Sequence, residues 1–191
     1  MTKLKVSKLI KTLFKFLTSI FVVIVLGVFV SYFVSYGPHH SQLKNAITDS
    51  KSKLVGNSTQ LYQLAIAAES KEGIGWRVAR GSFYEHSYSK LEKRSKAVWH
   101  LYQILWYSAI NFHFSEEEIF YLWCHYAFSG KSKDINSISL KYFDKPILEL
   151  GVREQAQIVG MPHGPSVYIP GTERGNRRLE WVLKQYASNQ Q

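Results

Sequence analysis

The chain has 191 residues, 46% of them apolar, and a formal net charge of +10. Setting aside about 35 N-terminal residues as a membrane leader leaves roughly 150, enough for one domain around one core. A single cysteine, Cys124, excludes an internal disulfide and a paired-cysteine metal site. Half of the positive excess (Lys3, Lys5, Lys8, Lys11 and Lys15) sits in the leader, which argues against nucleic acid as a partner.

Residues 16–36 carry no charged side chain and are rich in Val, Ile, Phe and Leu. At ~1.5 Å per residue this stretch reaches about 31 Å, the thickness of a bilayer's hydrocarbon core. Five lysines before it and none directly after it place the N-terminus in the cytoplasm and the rest of the chain outside, on the periplasmic side. Tyr32 and Tyr36 suit the outer interface. A cleaved signal would show an apolar core of about 7–15 residues and then small residues at a cleavage site. The longer run here, and the Tyr, Phe and Val between Ser31 and Ser35, favour an uncleaved single-pass anchor in the cytoplasmic membrane.

The expected organisation is a basic leader (1–15), a transmembrane helix (16–36), a juxtamembrane linker (37–55) and an extracytoplasmic domain (56–191). Gly37-Pro38-His39-His40 should end the span, and the polar stretch 41–55 allows a surface helix. Residues 61–69 have apolar positions at helical spacing, broken by Gly73-Ile74-Gly75. Residues 73–95, with Gly73, Gly75, Gly81 and several serines, read as loop and short turns. A basic stretch, 90–96, leads into a helix over 97–112. Val98, Leu101, Leu105 and Ile110, with Trp99, Tyr102, Trp106 and Tyr107, make that helix apolar almost all round, as expected of a buried or membrane-apposed element.

Ser115-Glu116-Glu117-Glu118 is a helix start. Ser115 caps, Glu118 closes a capping box, and three carboxylates favour the N-terminal dipole. That helix should run to about residue 128 and stop at Ser129-Gly130. Cys124 reads as a small buried apolar residue. Further helices are expected over 135–143, over 152–159 before Gly160 and Pro162, and over 173–186. No alternating pattern argues for strands, so the domain reads as mainly α.

The last third carries an ordered set of short motifs. These are Tyr142-Phe143-Asp144-Lys145, then Leu150-Gly151-Val152-Arg153-Glu154-Gln155-Ala156, Gly160-Met161-Pro162, and Pro165-Ser166-Val167-Tyr168-Ile169-Pro170. Together with Ser115, Glu118 and Ile119 they resemble the closing segment of the peptidoglycan glycosyltransferases of family 51, the polymerase domain of penicillin-binding proteins. The match runs in register from Ser115 to about Leu183. Upstream, Ala65-Ile66-Ala67-Ala68-Glu69-Ser70 resembles the family's apolar run into Glu-Asp. A rival alignment on Phe83-Tyr84-Glu85-His86 would leave Ala79 at that glutamate. The family's Thr-Gln-Gln segment is absent. Counting back from Ser115 puts Gln103 at the second catalytic glutamate.

The resemblance implies a lysozyme-like α-helical glycosyltransferase-type domain. It implies work on lipid II, a polyprenyl-pyrophosphate glycan, in bacterial cell-wall assembly. Glu69 would be the general base, taking the proton of the acceptor hydroxyl. Gln103 can hydrogen-bond at the second position but cannot act as an acid or base. Lys145 and Arg153, with Arg177 and Arg178, would meet the pyrophosphate through charge-assisted hydrogen bonds. A divalent metal is implied by the family, although the residues around that site are altered here. Catalytic activity is accordingly expected to be low or lost. The other reading is a non-catalytic accessory protein that binds lipid or wall-synthesis partners. The aromatic stripe of helix 97–112 reads as core or as a lipid-facing surface.

Overall fold

The computed structural model describes residues 2–87, 95–128 and 134–190. It divides into two units, Met1–Pro38 and His39–Gln191. The first is built on α1 (Thr2–Ser31), whose large apolar side chains from Leu13 to Val30 are exposed. Among the described residues it belongs to the one helical stretch long and apolar enough to cross a membrane. Gly37-Pro38 changes the winding rather than opening an irregular linker. Residues Tyr32–Tyr36 form one wide turn, closed by the Gly37 N–H on the Tyr32 carbonyl, and Gly37–His39 form one tight turn. Proline has no N–H to donate to the turn before it, so α-winding cannot continue unchanged through Pro38.

The second unit holds eight α-helices among its described residues. They are α2 (His40–Lys53), α3 (Thr59–Glu69), α4 (Lys71–His86), α5 (Lys96–His113), α6 (Glu116–Tyr126), α7 (Ile135–Phe143), α8 (Val152–Gly160) and α9 (Glu173–Ser188). No strand occurs among the described residues. The stretch read as a linker is largely α2, an integral element of the domain. It buries Leu43, Ala46, Ile47 and Ser50 and packs on α6. Its few apolar residues fall at i, i+3 and i+4, so a mostly polar sequence still presents one burial stripe.

The stretch read as loop from residue 73 is helix α4 as far as His86, with Ser87 as its cap; residues 88–94 of that reading lie outside the described residues. Its glycines are there for proximity, not for turning. A Cβ on Gly81 would stand 2.9 Å from both the Cβ and the carbonyl oxygen of Tyr126, so α4 and α6 touch at van der Waals distance only without it. α4 also packs on α5, and α3 packs on α4, α8 and α9. Leu61, Leu64, Val78, Phe83, Trp106, Trp123 and Ile158 are fully enclosed between these helices. Cys124 is buried, and burial pushes its thiol well above the usual range, as expected of a packing residue.

The start of α6 follows its sequence signal. The Ser115 hydroxyl accepts from the Glu118 N–H at 3.3 Å, and Glu118 Oε2 accepts from the Ser115 N–H at 2.9 Å. Ser115→Ala is expected to lower stability by about 1 kcal/mol. Thermal unfolding of the full chain in detergent checks this, and an unchanged midpoint would discount the cap. The expected stop at Ser129-Gly130 lies outside the described residues, and α6 itself ends at Tyr126.

Candidate functional site

Glu69 is the last residue of α3, and the joint to α4 is a single residue, Ser70. Ser70 adopts φ 63°, ψ 166°, a backbone region almost confined to glycine and costing about 1–3 kcal/mol. Its hydroxyl accepts from the Gly73 N–H at 3.1 Å, which caps α4 and offsets part of that cost. The joint redirects the chain from α3 into α4, and the two helices pack on each other. Arg77, eight residues on, thereby reaches the Glu69 carboxylate.

The two form an ion pair through Arg77 Nε and Glu69 Oε1, with the Glu69 side chain only 3% exposed. Arg77 Nη1 also donates to the Pro162 carbonyl at 2.9 Å, tying α4 to the turn after α8. His163 Nε2 stands 3.8 Å from Glu69 Oε2. Burial is the largest influence on this imidazole and lowers its pKa, with Arg178 and Arg77 acting the same way against the pull of Glu69. We therefore take His163 as neutral near pH 7, so the separation from Glu69 is a polar contact and not a second ion pair.

Glu69, His163, Lys71, Gln63 and Trp181 line a cleft of about 890 Å³. Arg77 lines a second one, of about 550 Å³, with Arg80, Tyr84, Glu85, Tyr126 and Pro162. The Glu69–Arg77 pair thus contributes one partner to each cleft. The rival position, Ala79, is fully buried, and Glu85 is exposed. His86 Nε2 lies 3.0 Å from the Tyr126 hydroxyl, with its ring stacked on Trp106 and on His39, which makes it a packed side chain.

The other sequence candidates do not join Glu69 in its cleft. Gln103 lies inside α5 with 5% exposure, and its amide nitrogen finds no partner among the described residues. Lys145 is exposed just beyond the left-handed C-cap Asp144, and its carbonyl accepts from the Ser139 hydroxyl at 2.6 Å. Arg153 is exposed and pairs with Glu180 at 2.6 Å. Arg177 pairs with Glu173 at 3.6 Å.

Arg178 is structural in kind. Its guanidinium donates to the Ala68 carbonyl at 2.9 Å and the Gly160 carbonyl at 3.4 Å, satisfying carbonyls at the ends of α3 and α8. It also stacks 4.1 Å above the Trp181 ring. Among the described residues no group of three or more His, Cys, Asp or Glu side chains converges to hold a metal. The one acid buried at the cleft is already paired to a guanidinium, so the residues present do not fit the metal that the resemblance implied.

Sequence reasoning missed Arg77 and His163. Neither stands at a helical spacing from Glu69 along one helix; the one-residue joint at Ser70 and the turn after α8 bring them there. Comparison of this chain with protein-family models, with curated proteins and with solved structures finds no match.

Proposed function

We propose that this is a membrane-anchored, peptidoglycan glycosyltransferase-like protein that acts in cell-wall glycan assembly from lipid II with low or lost catalytic activity. Its anchor is α1, with the lysine-rich end in the cytoplasm and a lysozyme-like domain on the outer side. The ordered motifs from Tyr142 to Pro170 support the family reading, and the retained Glu69 at a cleft edge agrees with it. One observation carries the loss of activity: Glu69 is buried against Arg77. A general base needs a free, reachable lone pair and a pKa near the working pH. The Glu69 carboxylate is enclosed against the Arg77 guanidinium and out of easy reach of an acceptor hydroxyl, and Gln103 supplies no second carboxylate.

The same observation favours binding over chemistry as the remaining role. The cleft beside Glu69 has room for part of a glycan, and an accessory protein can hold lipid II without polymerising it. The test uses the full-length protein in detergent with labelled lipid II and divalent metal. The expected result is saturable lipid II binding with little or no polymer, and no further loss of polymer in Glu69→Gln, since the carboxylate does no proton transfer. Glycan chains that vanish in Glu69→Gln would overturn the loss of activity. Absence of binding would overturn the lipid II reading altogether.

A further inference from the structure

A helix on the surface of a water-soluble domain normally turns its charges outward. α9 does so, with Glu173, Arg174, Arg177, Glu180 and Lys184 all exposed. α5 does not. Between its two end residues, Lys96 and His113, its exposed positions are Ala97, His100, Leu101, Ile104, Ser108, Asn111 and Phe112. At 100° per residue these fall within an arc of about 120°, and Lys96 and His113 are exposed outside it. That arc holds no acid, no lysine and no arginine. Leu101 is 53% exposed, Ile104 49% and Phe112 84%. Asn111 turns its amide back on the helix, where Nδ2 donates to the Tyr107 carbonyl at 2.8 Å. Along one margin of the arc, Trp76 of α4, itself partly exposed, stacks on Tyr107 with ring centroids 4.2 Å apart. A charge-free face edged by a Trp–Tyr pair has the composition of a membrane interface.

The place of this face in the domain points the same way. The C-terminal end of α5 is fixed at the domain's entry point. His40 lies two residues beyond Pro38, where the first unit ends, and its ring packs 5.2 Å from His113 and 5.2 Å from Phe114. Phe112, the most exposed large apolar residue of α5, thus directly precedes the two residues that pack on the start of the second unit.

We infer that the outer face of α5 lies in the interfacial layer of the bilayer that α1 crosses, as a second membrane contact of the domain. Burial of Leu101, Ile104 and Phe112 among acyl chains removes apolar surface from water, and Trp76 and Tyr107 sit at headgroup level. Lys96, exposed at the far end of the helix, can meet an anionic headgroup. The inference rests on the apolar span and on α5, and it stands whether or not the protein handles glycan.

The experiment places a nitroxide at Ile104→Cys and, separately, at Phe112→Cys. A third label, at Glu173→Cys on the charged α9, is the reference. All three positions are exposed, so the fold tolerates the change, and buried Cys124 stays unlabelled in the unsubstituted chain. The full chain is placed in nanodiscs of phosphatidylethanolamine and phosphatidylglycerol. Collisions with oxygen, which concentrates in lipid, are compared with collisions with a water-soluble nickel chelate. The expected result is oxygen preference at 104 and 112 and nickel preference at 173. Nickel preference at all three positions would overturn the inference by placing the face in water. Shielding of 104 and 112 from both reagents would also overturn it, because protein, and not lipid, would then cover the face.

Discussion

Arg77→Ala should destabilise the domain by about 3–5 kcal/mol, the usual cost of stranding one partner of a buried ion pair. The Glu69 carboxylate is 3% exposed and has Arg77 as its ion-pair partner. His163 close by is neutral, and Arg178 acts on the carboxylate electrostatically while its own donors are taken by the Ala68 and Gly160 carbonyls. Without the guanidinium, Glu69 must either stay charged in a poorly solvated place or take up a proton, and both weaken folding near pH 7. The Pro162 carbonyl loses its donor in the same step, which loosens the turn after α8. The double variant Glu69→Gln/Arg77→Met removes both charges and should recover most of the loss, as neutral side chains of similar volume often replace a buried pair at little cost. Thermal unfolding of the full chain in detergent reads both effects. An Arg77→Ala protein that unfolds at the wild-type midpoint would remove the ion pair from the account of the cleft.

Gly175→Ala should be the next most damaging change, although it adds one methyl group in the first turn of a helix. A Cβ there would stand 2.1 Å from the Ile169 carbonyl oxygen and 2.9 Å from its carbon. That carbonyl cannot swing away freely, because it accepts from the Thr172 hydroxyl at 2.7 Å and from the Thr172 N–H at 3.2 Å. The start of α9 must therefore move off the Pro165–Pro170 turn, at about 1–3 kcal/mol or somewhat more. The shift would propagate, since α9 carries Arg178, which holds the carbonyls of Ala68 and Gly160. The expected outcome is a lower unfolding midpoint together with weaker lipid II binding. A midpoint equal to wild type would mean that the turn yields more easily than its hydrogen bonds suggest.

Arg178 shows what the fold adds to residue type. A cluster of arginines near the end of a chain that resembles a pyrophosphate-handling family suggests an anion site. Within the fold, Arg178 spends its donors on two helix ends, Arg153 faces Glu180 and Arg177 faces Glu173. These partners lie on neighbouring helices or one turn away, and only the first kind is invisible to helical periodicity. Gln103 is a similar case. Its place in the resemblance is fixed by counting from Ser115, and its side chain is buried on the packed face of α5.

Local chemistry was legible where the signals are short-range and one-valued. The apolar run of α1, the capping box at Ser115, the bounds of α7 and the stop of α8 at Gly160 all rest on residues within a few positions of one another, and their energetics need no distant partner. Three things depended on contacts between residues far apart along the chain. The glycines of α4 mark close helix packing, a distinction that turns on Tyr126, 45 residues beyond Gly81. The polar stretch after Pro38 is a core helix because α6 covers its apolar stripe. Glu69 is a paired and buried carboxylate because one serine at positive φ turns Arg77 back upon it. Propensity and capping act over one or two helical turns, so they write the elements into the sequence, whereas burial and charge pairing depend on what the folded chain brings alongside.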